Sequence, residues 1–319
     1  ASTSSSYAIM SDKRVVAWGE NNQKQLGNPA VTATLWGEPT YMKMRKTATS
    51  PIVDITNVVF IDAGDRSVLA LVDDGVVGDG VGTVYSCGDI AKDEKLLGRP
   101  ITNNGVFMPV LKADGTPLSN IKMVSAGDVM GIAVDATTGY VWSWGDTWGC
   151  EAGSGNPDVA KRATRISAGE YKTISGLDYL TNIKQVSGGK AFTIAVTNDG
   201  YVLAWGVNDN TNGGSLGSGS TAANSCTSGP QFVRYATAGN PIVNDAVSVS
   251  DGDTWGFLIN KTNDYYAWGL NDKGQVGDGS LVTKNYATKI TSNIPCTISN
   301  PCPKADMPPY YSVCPGIPT

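Results

Sequence analysis

The chain has 319 residues, of which 41% are apolar, 17% are charged and 38 are glycine, and its formal net charge is −5. That balance describes a globular chain with many tight turns rather than a disordered one, and its 24 Lys and Arg are dispersed, without the clustered cationic surface that neutralising phosphates requires, so nucleic acid is excluded as the expected partner. No apolar run reaches the roughly 18 residues needed to cross a bilayer, so no membrane span is expected within the chain.

Taken in chain order, Ala1 to Ser6 carry neither an initiator Met nor an apolar signal core, as expected if a targeting segment has been removed. The first strong element is the strand Val15-Val16-Ala17-Trp18-Gly19, and it recurs. Val84-Tyr85-Ser86-Cys87-Gly88, Val141-Trp142-Ser143-Trp144-Gly145, Val202-Leu203-Ala204-Trp205-Gly206 and Tyr265-Tyr266-Ala267-Trp268-Gly269 are four further versions, at spacings of 69, 57, 61 and 63 residues. Upstream of the later anchors lies a second strand led by glycine, beginning at Gly64, Gly127, Gly189 and Gly252. Between the two sit Asp73-Asp74-Gly75, Thr138-Gly139, Asn198-Asp199-Gly200 and Asn263-Asp264, residue types that tolerate positive φ and close hairpins. Downstream, Gln25-Leu26-Gly27, Glu151-Ala152-Gly153 and Gly274-Gln275-Val276-Gly277 recur at one offset, with Gly98 and Gly217 matching after short insertions.

Repeats of this length, rich in short alternating strands and without a sustained helical period, predict an all-β propeller. The five anchors predict five blades of antiparallel strands over residues 1–293, followed by a tail over 294–319 packed on the propeller or on a partner. Ala8 aligns with Ala195 and Ala1 with Gly188, so the first blade begins partway through. The N- and C-terminal segments are therefore expected to close the ring together, removing free sheet edges.

These residues resemble the regulator of chromosome condensation repeat family, whose blades read as a Gly-led strand, a turn, a Trp-Gly strand and an Asn-x-x-Gly-Gln-Leu-Gly loop. Ala267-Trp268-Gly269-Leu270-Asn271-Asp272-Lys273-Gly274-Gln275-Val276-Gly277 is the best copy, and Trp18 to Gly27 is nearly as good. The resemblance covers roughly residues 1–290. Family members usually have seven blades, against five anchors here. One member acts on the GTPase Ran in the nucleus, and a plant ultraviolet-B photoreceptor of this fold uses clustered Trp and Arg, but its Gly-Trp-Arg-His-Thr motif is absent from this sequence.

Chemistry is sparse. The chain has no histidine, which excludes Ser-His-Asp and Cys-His systems and His-ligated metals. Carboxylate pairs such as Asp73 with Asp74 or Asp251 with Asp253 sit where turns favour Asp for backbone reasons. The Asp- and Gly-rich stretch 73–80 lacks the terminal Glu of a calcium loop. No catalytic, cofactor-binding or metal-binding residue is assigned, and no enzymatic activity is expected. Asn260-Lys261-Thr262 is a glycosylation sequon near a turn. The polar stretch 208–228 is a candidate contact loop. Six cysteines, three of them in the Pro-rich tail (Cys296, Cys302, Cys314), favour disulfides and an oxidising compartment; Cys87, standing where other repeats place Trp, reads equally as a buried free thiol. The function expected is a non-catalytic, exported protein-interaction or self-assembly module, extracellular or on the cell surface, such as the outer part of a fibre or adhesin. A glycan-binding propeller is the alternative, and regulation of a small GTPase follows from family analogy alone.

Overall fold

The computed structural model describes residues 4–76, 78–88, 96–100, 105–128, 130–145, 162–190, 192–208, 214–222, 225–226 and 229–291. Each anchor strand lies in a set of antiparallel strands, numbered here as blades in chain order, the second and third being joined into one eight-stranded sheet by the Ile121–Gly82 pair. The fifth is the plainest case: Ala246–Asp251, Trp255–Asn260, Tyr265–Gly269 and Lys284–Lys289 pair in succession. The second to fourth blades repeat this order, led by Val58–Ala63, Ile121–Ala126 and Ile183–Gly188. The first blade contains Ser5–Ile9, Val15–Glu20 and Leu35–Tyr41. Thus the all-β propeller architecture expected from the repeat is present, and the only described helical segments are the short turns Gly169–Tyr171 and Lys172–Ser175.

Local chemistry sets the hairpins. Gly75, Gly139, Gly200 and Asn263 all have positive φ, at 102°, 69°, 98° and 59°, at the turn positions read from the sequence. A second set of left-handed residues, Asn57, Asn120 and Asn182 at 58°, 61° and 62°, stands just before the inner strands. Their carbonyls accept the N–H of Asp73, Ala136 and Asn198 across the hairpin end. Asn is among the few side-chain-bearing residues that adopt this conformation at modest cost.

The loop after each anchor is organised around a buried amide. Asn21 and Asn271 are 2% and 0% exposed. Each accepts a backbone N–H five residues on, from Leu26 at 3.1 Å and Val276 at 2.9 Å, and donates its Nδ2 to loop carbonyls such as Val31 and Val282. Asn208 does the same work in the fourth blade, accepting from Gly214 and Leu216. A fully satisfied buried amide fixes a loop that no regular ladder could hold.

Strand alternation sends successive side chains to opposite neighbours. In the fourth blade, Leu203 and Trp205 join a core with the third blade, whereas Val202 and Ala204 join one with the fifth. Four apolar clusters result among the described residues, lying between blades one and two, two and three, three and four, and four and five. Trp144, Trp205 and Trp268 are each 0% exposed and belong to the cluster shared with the preceding blade. The Trp268 indole N–H donates to the Ser215 carbonyl at 2.9 Å, and a Cβ on Gly217 would lie 2.7 Å from that ring. Gly98 and Gly217 of the post-anchor loops are therefore the seats of the next blade's anchors Trp144 and Trp268.

Cys87 occupies the corresponding seat at Gly27, its Sγ 3.2 Å from where a Cβ would stand, and Met42 fills the remaining volume. It is free and fully buried, and burial drives its thiol well above the ordinary range, so it is inert rather than reactive. Of the two readings of Cys87, the buried thiol is the one found. The disulfides expected from the remaining cysteines, the tail 294–319 and the ring closure by the C-terminal segment lie outside the described residues.

Candidate functional site

The inner strands of blades two to five converge and bond to one another across blade boundaries. Ser125 Oγ and the Ala126 N–H both donate to Asp62 Oδ2, at 3.2 and 2.9 Å. The Gly188 N–H donates to Ser125 Oγ at 3.1 Å, and Ser187 Oγ donates to Asp251 Oδ1 at 2.6 Å. Gln185 ties blades four and five by donating to the Val249 carbonyl and accepting from Ser248 Oγ. These contacts recur at sequence separations of 63 or 64 residues, so the repeat itself brings the partners together.

At the end of these strands the four leading glycines nearly touch. A Cβ on Gly64 would lie 2.0 Å from the Gly127 carbonyl oxygen, one on Gly127 would lie 2.5 Å from that of Gly189, and one on Gly189 would lie 2.7 Å from that of Gly252. Gly64, Gly127 and Gly189 lead their strands because backbones converge there, whereas a Cβ on Gly252 would meet the Trp255 indole of its own blade at 2.3 Å.

Gly64, Gly189 and Gly252 floor an open cavity of about 220 Å³, lined also by Ala63, Asp65, Ala126, Asp128, Gly188, Lys190, Asp251 and Asp253. Aligned on the glycines, Asp65, Asp128, Lys190 and Asp253 are equivalent positions of successive blades. Three acids and one base thus ring the mouth, with Lys190 Nζ 3.5 Å from Asp253 Oδ2 across the last boundary. Asp251 stands where the other blades carry Ala63, Ala126 and Gly188. The residue keeps some exposure, but its Oδ2 is buried without a hydrogen-bond partner. Burial, with a smaller contribution from the charge of Asp62, pushes its carboxyl up from 3.8 to about 7 against the opposing Ser187 bond. Burial and the neighbouring Asp65 charge likewise raise Asp128. Burial thus disfavours the ionised form of Asp251 and Asp128, and the neighbouring negative charges add to it.

Other residues singled out from sequence do not join this site. Asp73 and Asp74 cap their own turn, accepting from the N–H of Gly75 and Val76, and Asp79 accepts from Val81. No group of three potential metal ligands occurs among the described residues. Asn260 of the sequon is 4% exposed. Its Oδ1 accepts from the N–H of Thr262 and Asp264 while its Nδ2 donates to Asp245, which makes it the keystone of its hairpin. Asn260→Ala is expected to cost about 2 kcal/mol in chemical denaturation by orphaning these partners. Much of the stretch 208–228 lies outside the described residues. Aromatic side chains cluster on the outer side of blade three, where Arg165 stacks on Tyr179 at 4.2 Å and on Tyr140 at 5.1 Å. Among the described residues, no helix is long and apolar enough to cross a membrane.

The family model described as the regulator of chromosome condensation (RCC1) repeat matches residues 183–213, which run from the inner strand of blade four through its Trp205 anchor. A mouse E3 ubiquitin-protein ligase, HERC2, is 32% identical over 166 residues, 52% of this chain and 3% of the ligase. The Arabidopsis ultraviolet-B receptor UVR8 is 26% identical over 282 residues, 88% of this chain and 54% of the receptor. The chain carries the regulator of chromosome condensation repeat in its fourth blade and is similar over most of its length to a protein built from such repeats. Solved structures extend the likeness to the whole fold: human WBSCR16 has a TM-score of 0.64 at 20% identity, covering 91% of this chain and 65% of that one. Yeast Prp20p, described with its binding properties to Gsp1p and histones, has a TM-score of 0.63 at 16% identity, covering 91% and 62%. The chain thus spans about half of the plant receptor, a small fraction of the ligase and under two thirds of each of the two solved chains.

Proposed function

We propose that the chain is a non-catalytic protein-interaction module that engages a basic side chain of a protein partner at its axial mouth. The observation that carries this reading is the buried, unpartnered Asp251 oxygen beneath the rim of Asp65, Asp128 and Asp253. At about 220 Å³ the cavity is smaller than the roughly 300–1,000 Å³ of small-molecule sites. It is also polar and open, which suits one Lys or Arg head group presented by a larger surface. A cation there would supply the charge partner that Asp251 lacks and favour its ionised form.

An exported setting, with the chain as an outer subunit or domain of a surface fibre or adhesin, belongs to the same proposal and is supported by the cysteine usage of the tail. The test is to recover partners by crosslinking on intact producing cells, then compare their binding to the native chain and to the rim variant Asp128→Lys/Asp253→Lys. At least a tenfold loss of affinity, with binding that weakens as salt rises, is the expected result. Undiminished, salt-independent binding by the rim variant would sink the reading. A glycan-binding alternative would instead give specific signals on a glycan array that survive the rim substitutions.

A further inference from the structure

The outer strand of blade three, Thr164–Arg165, carries a cation with no counter-ion among the described residues. Arg165 lies over three aromatic rings, 4.2 Å from the centroid of Tyr179, 5.1 Å from Tyr140 and 5.9 Å from Trp142. It stays exposed, and no described residue gives it a hydrogen bond or an ion pair. The acids of the neighbouring segments are engaged elsewhere. Asp135 accepts from the N–H of Thr137 and Thr138 in its own turn, Glu170 accepts from the Phe232 N–H at 2.9 Å, and Asp178 pairs with Lys172. Contact with the rings occupies the face of the guanidinium and leaves its N–H edge open to a planar acceptor.

Exposed apolar surface adjoins this cation. Ile174, Leu177 and Tyr179 are 48%, 46% and 39% exposed. They lie on the segment that returns to the outer strand, where Ser167 bridges Tyr179 and the Leu180 N–H donates to the Ile166 carbonyl. Gly139 and Thr181, close in the chain to Tyr140 and Tyr179, line an open cleft of about 270 Å³ between the hairpin ends of blades three and four, and Lys122 adds a second cation to its wall. Single exposed apolar residues are ordinary. Arg, Tyr and Trp gathered around an apolar patch are the residue types that dominate binding at interfaces.

We infer that the outer face of blade three docks an acidic, partly apolar segment of a protein partner. An Asp or Glu carboxylate of that segment takes the N–H edge of Arg165, and an adjoining apolar side chain covers Leu177 and Tyr179. Charge complementarity selects this occupant. A basic segment would be repelled by Arg165 and Lys122, and a purely apolar one would desolvate the guanidinium without giving it a partner. Because aromatic rings already position Arg165, little side-chain freedom is lost when a carboxylate bonds to it. None of these residues lines the axial mouth. The Asp128→Lys/Asp253→Lys variant should therefore keep this binding, and Arg165→Gln should keep binding at the mouth.

Selection of a phage-displayed random peptide library on the full chain, counter-selected on Arg165→Gln, tests this. Recovered peptides should share an Asp or Glu flanked by apolar residues and should bind more weakly as salt rises. Their affinity should fall at least tenfold on Arg165→Gln and on Leu177→Asp. Arg165→Lys should not restore it, because an ammonium lacks the planar fork. Both positions are exposed, so denaturant midpoints should stay near that of the native chain, and Leu177→Asp keeps the test valid if Arg165→Gln is less stable. Peptides that carry no acidic residue, or that bind the native chain and both variants alike, overturn the proposal. Recovery of no peptide also overturns it, as does Arg165-dependent binding confined to sulfated or uronate-bearing glycans.

Discussion

Gly64→Ala is expected to destabilise the chain by about 3 kcal/mol or more, at or beyond the upper end of ordinary overpacking. The new methyl would lie 2.0 Å from the Gly127 carbonyl oxygen and 2.7 Å from its carbon, and these are backbone atoms held in a neighbouring blade. No rotamer change can clear them, so one inner strand must move, taking with it the bonds from Ser125 and Ala126 to Asp62. Gly189→Ala, whose methyl would lie 2.7 Å from the Gly252 carbonyl oxygen, should cost less. Gly37→Ala is the control: a Cβ there meets nothing within 4 Å, and the change should fall within about 0.5 kcal/mol of neutral. Denaturant midpoints of the three variants provide the measurement, and equal midpoints for Gly64→Ala and Gly37→Ala would contradict the packing described.

Asp251→Asn should raise stability at alkaline pH and leave it unchanged in acid. The folded carboxyl is raised from 3.8 to about 7 by burial. The folded chain therefore holds a proton on Asp251 that the unfolded chain has released between about pH 4 and pH 7. Stability linked to this group is intact below pH 4 and falls as pH rises through 7, by on the order of 4 kcal/mol in full. Asn keeps an acceptor for Ser187 without ionising. The difference between native and variant stability should accordingly be near zero at pH 4 and amount to several kcal/mol at pH 8. Because both proteins share every other carboxylate, the difference isolates Asp251. A difference that does not change with pH would show that Asp251 is not desolvated.

The two substitutions differ in how far their outcome could be read from sequence. That a glycine leads each inner strand is plain in the repeat, and Gly64, Gly127, Gly189 and Gly252 align without ambiguity. Its cause was not legible, since a glycine can serve a turn, a bulge or a close approach, and only the neighbouring blade's carbonyl shows which. Asp251 resembled an ordinary turn residue beside Asp253. What marks it is comparison across blades, where its equivalents are Ala63, Ala126 and Gly188, and that signal was available in the repeat. Lys190, the one base among Asp65, Asp128 and Asp253, could have been found the same way. Asn260 misled in the opposite sense, its sequon lying on a side chain that the hairpin buries.

Features that depend on a residue and its near neighbours were settled by the sequence: alternating strands, left-handed turn positions, Asn-centred loops and the Trp-Gly anchors. Each follows from period-two side-chain placement or from φ tolerance, which act within a few residues. Features that depend on what a surface meets were decided by the tertiary structure. Convergence of the inner strands strips water from Asp251 and makes a methyl intolerable at Gly64. The neighbours that each strand meets determine that Trp268 is sealed while Trp18, on the same strand motif, keeps some exposure.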